Sequence, residues 1–371
     1  MSRARHEVVV IGAGQAGLAI GHFLAGQGRD FVILDAADSI AATWRARWDS
    51  LVLFTPRRYD SLPGLAFPGE PDGYPTRGEV VSYLERYASA FDLPIELNSR
   101  VRSLTAANGG FVLEVDDRVI EADQVVVATG PFQTPQIPDV ARGLAPEVFQ
   151  RHGAEYRNPE ELPDGTVLVV GGGNTGFQIA QELAGSREVH LSIGSRQPTL
   201  PQRFLGRDLF WYLEATGLMA RSTQSRIGRR MKARDPVLVG SSPRALARHG
   251  VTRHPRAVAA SGRTVGFADG SALDVHAVIW ATGYRPDNEW ITPSVTDEQG
   301  RIRHKRGVTD VPGLYFLGLP WQHTRGSALL GWVRHDAAHI AERVAAFAAG
   351  PAGDSADGTV PSSARDEGRT G

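Results

Sequence analysis

The stretch that decides the fold is Val8-Val9-Val10-Ile11-Gly12-Ala13-Gly14-Gln15-Ala16-Gly17, an apolar run that ends in a glycine turn. The pattern returns at residues 167–170, followed by Gly171-Gly172-Gly173-Asn174-Thr175-Gly176. Glycines at this spacing allow a tight strand-to-helix turn, a close backbone approach to a pyrophosphate, and close packing of the next helix. The helix N-terminus then presents free N–H groups to the anion. The two turns predict two bound dinucleotides.

The first turn has the context of a complete nucleotide-binding unit. The pattern predicts a helix over residues 16–24 and a strand over Phe31–Leu34 that ends on Asp35, where a carboxylate would accept a hydrogen bond from a ribose hydroxyl. A buried strand over residues 124–127 follows and ends in Ala128-Thr129-Gly130.

The second turn leads into a predicted helix over residues 175–183 and a strand over 189–193. This strand ends on Gly194-Ser195-Arg196 and carries no acid, and a later strand ends in Ala281-Thr282-Gly283. A hydroxyl and a guanidinium bind a 2′-phosphate, which an acid would repel, so the second site is predicted to take NADPH rather than NADH. The alternative, that Asp35 and Arg196 are ordinary loop charges, is the less favoured interpretation.

This duplication predicts an α/β fold with two Rossmann-like dinucleotide-binding domains, the second inserted into the first. The predicted limits are 1–150 plus 284–350 for the first domain and 160–283, with a helical insertion, for the second. Residues 351–371 have almost no large apolar side chains, which predicts a disordered tail.

Composition narrows the function. The 371 residues carry a formal net charge of -1 and no apolar run of about 20 residues, which argues against a nucleic-acid or membrane partner and predicts a cytoplasmic protein, with a homodimer left open. The absence of cysteine excludes a redox-active CxxC pair. His335 and His339 lie one helical turn apart without a third ligand, so no metal is predicted.

Residues 221–256 hold ten Lys or Arg residues and one acid, Asp235. These basic side chains either surround the NADPH phosphates or face water. For most of them we favour the second interpretation.

Several other motifs carry a family resemblance: Thr43-Trp44, RWDSLVLFTPRRYDSLPGLAFP from Arg47, ATGPFQTPQIP from Ala128, ATGYRPD from Ala281 and GLYFLGLPWQHTRGSALLGW from Gly313. With the glycine turns, these motifs resemble the class B flavoprotein monooxygenases over about residues 6–348. The similarity is to compact bacterial flavoproteins close to flavin-containing monooxygenases and plant indole-pyruvate monooxygenases.

The resemblance implies FAD in the first domain, NADPH in the second, and hydride transfer to a flavin that reacts with O2 at its C4a carbon and oxygenates a small organic substrate. It places Trp44 and Thr55 near the flavin, the Val101 backbone near the adenine, and a helix starting near Gly326 against the flavin's pyrimidine edge. His323 and Arg325 precede that helix, so they either contact substrate or reduced flavin or merely cap the helix. The predicted FAD-binding residues are Gly12, Gly14, Gln15, Ala16, Gly17, Asp35, Thr43, Trp44, Thr55, Val101, Ala128, Thr129 and Gly130. The predicted NADPH-binding residues are Gly171, Gly173, Asn174, Thr175, Gly176, Ser195, Arg196, Ala281, Thr282 and Gly283.

Two departures from the family pattern bear on the chemistry. The linker signature survives only as His152 and Tyr156, and Phe54 stands where many flavin-containing monooxygenases have an asparagine beside the flavin. Both departures favour an alternative function, an NADPH-dependent FAD oxidoreductase that passes electrons to a non-thiol acceptor without oxygen insertion. A nucleotide-sensing protein without turnover is a third hypothesis, which the intact glycine turns and Asp35 argue against.

Overall fold

The computed structural model describes residues 3–107, 109–195, 198–235 and 237–349. Arg196 and the predicted disordered tail lie outside the described residues. The N-terminal part contains β1 Arg3–Ile11, α1 Gln15–Gly26, β2 Phe31–Leu34, α2 Ala42–Arg45, α3 Arg77–Ala90, β3 Ile95–Glu96, β4 Val101–Ala107, β5 Gly110–Val115, β6 Arg118–Val127 and β7 Thr134–Pro135.

The middle part contains β8 Phe149–His152, β9 Thr166–Val170, α4 Asn174–Leu183, β10 Glu188–Ser192, β11 Thr199–Leu200, β12 Arg203–Phe204, β13 Arg207–Asp208, α5 Leu209–Ala215, α6 Arg226–Lys232, β14 Leu238–Val239, α7 Pro243–Arg248, β15 Thr252–His254, β16 Ala257–Ser261, β17 Thr264–Phe267, β18 Ala272–Asp274 and β19 Ala277–Trp280. The C-terminal part contains β20 Tyr284–Arg285, β21 Leu314–Phe316 and α8 Val333–Ala348. Short 3-10 turns lie at Arg57–Tyr59, Asp139–Gly143, Pro159–Glu161 and Arg325–Ala328.

The first sheet has the strand order β3-β2-β1-β6-β5-β4, with β21 also paired to β6. Its central strands are parallel and apolar because helices α1, α3 and α8 bury one face, while the antiparallel ribbon of β4 and β5 extends one side. Ile11 pairs with both Leu34 and Val127, so three strands end at one edge of the sheet. Gly12, Asp35 and Ala128 follow directly at that edge.

The second sheet is parallel throughout, in the order β15-β10-β9-β19-β8. Val170 pairs with both Ser192 and Trp280, which brings the second glycine turn and Ala281 to one edge in the same way. Strand β8, Phe149–His152, crosses the predicted domain limit at residue 150. Its pairing with β19 makes the whole strand part of the second sheet. The predicted domain limits otherwise remain a prediction.

The two chain segments that cross between the sheets lie side by side. Strand β7 pairs antiparallel with β20, with Pro135 opposite Tyr284 and Thr134 opposite Arg285. The Arg47 guanidinium lies 4.7 Å from the ring centroid of Phe132 and bonds the Tyr284 hydroxyl at 2.5 Å. This cluster fixes both crossings to the first domain.

The helix predicted to start near Gly326 is formed in two separate pieces. Residues Arg325–Ala328 form a 3-10 turn, Leu329 takes an extended conformation, and the α-helix begins at Val333. Gly331 lies against the first domain, since a Cβ there would be 1.9 Å from the carbonyl oxygen of Tyr59. A helical turn therefore does start near Gly326, but the chain then leaves the helical path to pack on residue 59 and forms the α-helix only from Val333.

Candidate functional site

The first glycine turn is held by backbone contacts that only glycine permits. Gly12 has φ +111°, and a Cβ there would lie 2.7 Å from the Ala128 carbonyl oxygen. A Cβ on Gly17 would lie 1.8 Å from the Gly12 oxygen. Gly14 differs, because no heavy atom lies within 4 Å of its Cβ position. The turn is thus closed at both ends and open at its middle glycine, as approach of a pyrophosphate requires.

Asp35 stabilises this turn directly. Its carboxylate accepts hydrogen bonds from the backbone N–H of Ala13 at 2.6 Å and of Ala37 at 2.9 Å. A carboxylate has about four acceptor positions, so two such bonds leave capacity for a ribose hydroxyl. The side chain predicted to recognise the ribose therefore also orients the glycine turn.

A cavity of about 470 Å³ opens at this edge of the first sheet. Predicted residues that line it are Gly12, Gly14, Gln15, Ala16, Asp35, Thr43, Trp44, Val101, Ala128, Thr129 and Gly130. Sequence reasoning missed other lining residues, namely Ser99, Arg100, Phe132, Gln133, Asp287 and Trp290. Proximity to Gly130 was a usable signal for Phe132 and Gln133, and proximity to Val101 for Ser99 and Arg100. Tertiary folding alone brings Asp287 and Trp290 here. The open middle glycine, the helix N-terminus and the acid together fit the adenosine and pyrophosphate of FAD.

Two predicted flavin neighbours have defined partners. The Trp44 indole N–H donates to Gln15 Oε1 at 3.0 Å, and its ring packs against the apolar cores of both domains. Thr55 is buried and donates to Asp60 Oδ1 at 2.6 Å, while Asp60 Oδ2 is buried without a hydrogen-bond partner. Burial raises the pKa of Asp60 to about 8. Thr55 and Gly17 support the site from outside the cavity lining.

The second turn repeats the first in its backbone. A Cβ on Gly171 would lie 2.1 Å from the Ala281 oxygen, one on Gly176 would lie 2.2 Å from the Gly171 oxygen, and Gly173 has no heavy atom within 4 Å. Asn174 Oδ1 accepts from the backbone N–H of Val239 at 3.3 Å, which ties the helical insertion to the turn. Strand β10 then leads to Gly194 and Ser195, both exposed. This arrangement fits a second dinucleotide.

Two residues predicted at the second site also form hydrogen bonds across the connection between the domains. Thr282 donates through its hydroxyl to the Gln136 carbonyl oxygen, and the Gly283 carbonyl oxygen accepts from the Gln136 N–H at 3.0 Å. The His152 ring also bonds that Gly283 oxygen through Nε2 at 3.0 Å. The surviving linker histidine thus holds the second crossing segment.

The predicted catalytic pair lies beside the helical insertion. Arg325 forms an ion pair with Asp235 at 3.7 Å, and the same carboxylate accepts from the Trp321 indole at 2.9 Å. The His323 N–H donates to Ser327 Oγ at 3.0 Å, and burial is the main cause that lowers the pKa of the imidazole. Neither residue lines the first cavity. A catalytic role for the pair remains a prediction, and the contacts shown are structural.

A second cavity, of about 430 Å³, lies between helix α4, residues 50–54 and the insertion. The Gln202 amide donates to the Phe54 carbonyl oxygen at 2.8 Å, and the Phe54 ring stacks on Phe210 at 5.9 Å. Its lining residues are Ser50, Val52, Leu53, Phe54, Tyr74, Gln178, Gln181, Glu182, Gln202, Val239, Gly240 and Ser241. This cavity is therefore walled by both domains and is rich in uncharged hydrogen-bonding groups.

Comparison with known proteins decides the family. The family model described as pyridine nucleotide-disulphide oxidoreductase matches residues 9–201. A CzcO-like oxidoreductase from Geobacillus kaustophilus is 46% identical over 336 residues, covering 90% of this chain and 97% of that protein. The chain belongs to this oxidoreductase family. The predicted enzyme class and the predicted cofactors, FAD and NADPH, are confirmed at the level of the family.

Two further matches are to monooxygenases. Indole-3-pyruvate monooxygenase YUCCA1 from Oryza sativa is 29% identical, covering 86% of this chain and 88% of that protein. The solved flavin-containing monooxygenase from Stenotrophomonas maltophilia has a TM-score of 0.78 at 29% identity, covering 93% and 99% of the two chains. These matches confirm the predicted resemblance and the predicted α/β fold.

Two other properties concern only the part of the chain that the structure describes. Within residues 3–107, 109–195, 198–235 and 237–349, no helix is both long and apolar enough to span a bilayer. Within the same ranges, no group of three or more His, Cys, Asp or Glu side chains is arranged to hold a metal ion.

Proposed function

We propose that this oxidoreductase is an NADPH- and oxygen-dependent FAD monooxygenase that oxygenates a small organic substrate. The observation that carries the proposal is the pair of matching glycine turns, open at Gly14 and at Gly173, in a chain without cysteine. Two dinucleotides provide a route for hydride, and the lack of any thiol leaves oxygen or a diffusible acceptor as the destination of the electrons. The end-to-end match to monooxygenases favours oxygen.

The proposed reaction converts NADPH, a proton, O2 and the substrate into NADP+, water and the oxygenated product. Two electrons from NADPH and two from the substrate reduce the two oxygen atoms. Bound FAD would accept the hydride and react with O2, which is chemistry that side chains do not supply. The chain's contribution is to bind both nucleotides and to keep water from the reacting atoms.

Particular residues would perform these tasks. Asp35 fixes the first turn through Ala13, and Gln15 orients the Trp44 ring at the contact between the two domains. Leu53, like Trp44, packs against the apolar cores of both domains. These apolar contacts would exclude water where the two nucleotides approach each other.

We place the organic substrate in the second cavity. Its lining contains the amides of Gln178, Gln181 and Gln202, one carboxylate, Glu182, and no Lys or Arg. Burial raises the pKa of Glu182. A site with this lining favours a neutral or cationic molecule over an organic anion. The proposed substrate therefore differs in charge from a 2-oxo acid such as indole-3-pyruvate.

The decisive experiment supplies the purified, FAD-loaded protein with NADPH, 18O2 and a panel of sulfides, amines and ketones. The proposal expects one 18O atom in the product and NADPH oxidation that rises with substrate. Oxidation of NADPH without labelled product from any member of the panel contradicts it.

A specific observation favours the second candidate, an NADPH-dependent FAD oxidoreductase with a non-thiol acceptor. Phe54 offers no side-chain hydrogen-bond donor, and its ring is engaged by Phe210. That function predicts rapid anaerobic reduction of a quinone by NADPH. The proposed monooxygenase would reduce a quinone only slowly, so the anaerobic assay separates the two.

A further inference from the structure

The carboxyl edge of the second sheet carries an arginine that the glycine-turn pattern does not reveal. Strand β15 runs parallel to β10, with His254 opposite Ser192, and Arg256 follows two residues after β15 ends. In nucleotide-binding units of this type, the group at the end of the second strand reads the ribose 2′ position. Strand β10 is that second strand, so Arg256 lies at the edge where a 2′-phosphate is recognised.

The backbone around Arg256 is fixed by a buried side chain. Ser192 Oγ donates to the Pro255 carbonyl oxygen at 2.8 Å and accepts from the Ala257 N–H at 3.0 Å. The Arg256 carbonyl oxygen accepts from the Ala268 N–H at 2.9 Å. The position of the arginine therefore follows from strand β10 itself.

The Arg256 side chain is exposed and lies over Gly194. A Cβ on Gly194 would be 3.0 Å from Arg256 Nε and 3.1 Å from one terminal nitrogen, so the glycine leaves room for the guanidinium against the chain. Gly194 does not have a positive φ, so space and not backbone conformation distinguishes it. Among the described residues, no carboxylate lies within 4.0 Å of this guanidinium. Among the residues described, no acid therefore competes with an anion for its donors.

We infer that Arg256 is a further ligand for the 2′-phosphate of NADPH, in addition to the residues Ser195 and Arg196 that the sequence predicts. The inference rests on the NADPH dependence within the proposed function, and it goes beyond the glycine-turn pattern because the cation comes from the neighbouring strand. A planar guanidinium over the Gly194 backbone would donate two parallel hydrogen bonds to phosphate oxygens.

The test measures binding, without turnover, by titration calorimetry of the FAD-loaded protein with 2′,5′-ADP and with 5′-AMP. Arg256→Ala is expected to weaken 2′,5′-ADP about tenfold and to leave 5′-AMP within about twofold, since one charge-assisted contact is lost. Arg256→Lys should recover part of the loss. Arg253→Ala is the matched control, because Arg253 is an exposed arginine within β15, three residues before Arg256, and should not change either affinity.

Unchanged 2′,5′-ADP affinity in Arg256→Ala, or an equal loss for both ligands, would overturn the inference. Melting temperatures of the variants identify any loss of folding, and Arg256→Lys then decides between charge and packing. No oxygen or organic substrate is present, so failure here leaves the monooxygenase proposal standing. Conversely, a missing 18O product does not affect this result.

Discussion

The two glycine turns are closed by the same kind of backbone contact, but the residues at the end of the strand that follows each turn differ. In both turns, the first and third glycines are closed by carbonyl oxygens and the middle glycine is open. At the end of the following strand, however, the first domain has Asp35 and the second has exposed Gly194 and Ser195. Backbone shape thus fits each turn for a dinucleotide, and we expect the residues at the end of the second strand to set which nucleotide it prefers.

The largest expected effect comes from a substitution that blocks nucleotide binding at one glycine turn and leaves the other turn unchanged. Gly14→Val would place a branched side chain in open space that a pyrophosphate needs, so the protein should fold but purify without flavin. Gly173→Val is the matched change and should abolish NADPH binding while leaving FAD in place. Absorbance near 450 nm and NADP+ titration measure the two outcomes. A Gly14→Val protein with normal flavin content would show that the first turn is not the FAD site.

The next effect converts the second turn toward the first. Ser195→Asp introduces an acid two residues beyond Ile193, which is the residue that matches Asp35 in strand register. Its charge should repel a 2′-phosphate and accept a hydrogen bond from a ribose hydroxyl. We expect NADPH affinity to fall about 10- to 100-fold, with NADH affinity equal or higher. Ser195→Ala is the control and should reduce NADPH affinity only slightly. If Ser195→Asp lowers the affinities for NADPH and NADH by the same factor, this position does not contact the 2′ group.

A third prediction concerns the pH dependence of folding stability, which Asp60 should affect in the first domain. Burial raises the pKa of Asp60, in the first domain, to about 8, whereas the unfolded chain loses this proton near pH 4. The folded state therefore holds an extra proton between these values, and the Asp60 contribution to stability falls as pH rises from about 4 to about 8. Asp60→Asn keeps an acceptor for Thr55 without a titrating group.

Urea unfolding of wild type and Asp60→Asn at pH 5, 6.5 and 8 measures this effect. The variant should gain stability relative to wild type by a few kcal/mol across that range, because each pKa unit corresponds to about 1.4 kcal/mol. Gly173→Val, altered in the second domain, should keep the wild-type slope. Identical slopes for wild type and Asp60→Asn would contradict the buried-proton account.

The smallest effect concerns the region between the two turns. Because Phe54 offers no hydrogen-bond donor, we expect the wild type to oxidise NADPH and release H2O2 in nearly equal amounts when substrate is absent. Phe54→Asn should slow the substrate-free release of H2O2, and the matching oxidation of NADPH, by about twofold, which is the effect of one modest hydrogen bond. The ratio of H2O2 to NADP+ should stay near one and the NADP+ affinity should not change. Faster release of H2O2 in the variant would indicate that the apolar ring protects the site by excluding water.

Sequence patterns predicted the parts of the molecule that depend on local chemistry. The strand Phe31–Leu34 was confirmed as predicted, and the helix expected over residues 16–24 was observed as Gln15–Gly26. Glycine spacing identified both turns, because steric closure at Gly12 and Gly17 leaves no other residue type. The position of Asp35 was predicted for the same reason, since a strand of known length carries it to the sheet edge.

Long-range packing set the features that the patterns missed. The interruption before Val333 depends on contact between Gly331 and Tyr59, which are far apart in the chain. Arg256 reaches the second site through strand pairing with β10, and Trp290 reaches the first cavity from beyond the inserted domain. Such residues carry no local signal, because their neighbours are fixed only once the sheets have formed.

The pairing of β7 with β20 makes residues 136–283, which contain the second glycine turn, an insertion between two adjacent antiparallel strands. The chain leaves the first domain at Pro135 and returns at Tyr284 directly opposite, where paired Cα atoms of antiparallel strands lie about 4.5–5.5 Å apart. A tight two-residue turn would span that gap as readily as residues 136–283 do. Residues 136–283 could therefore be removed or replaced without lengthening either connection, at the cost of the apolar contacts that Trp44 and Leu53 make with the second core.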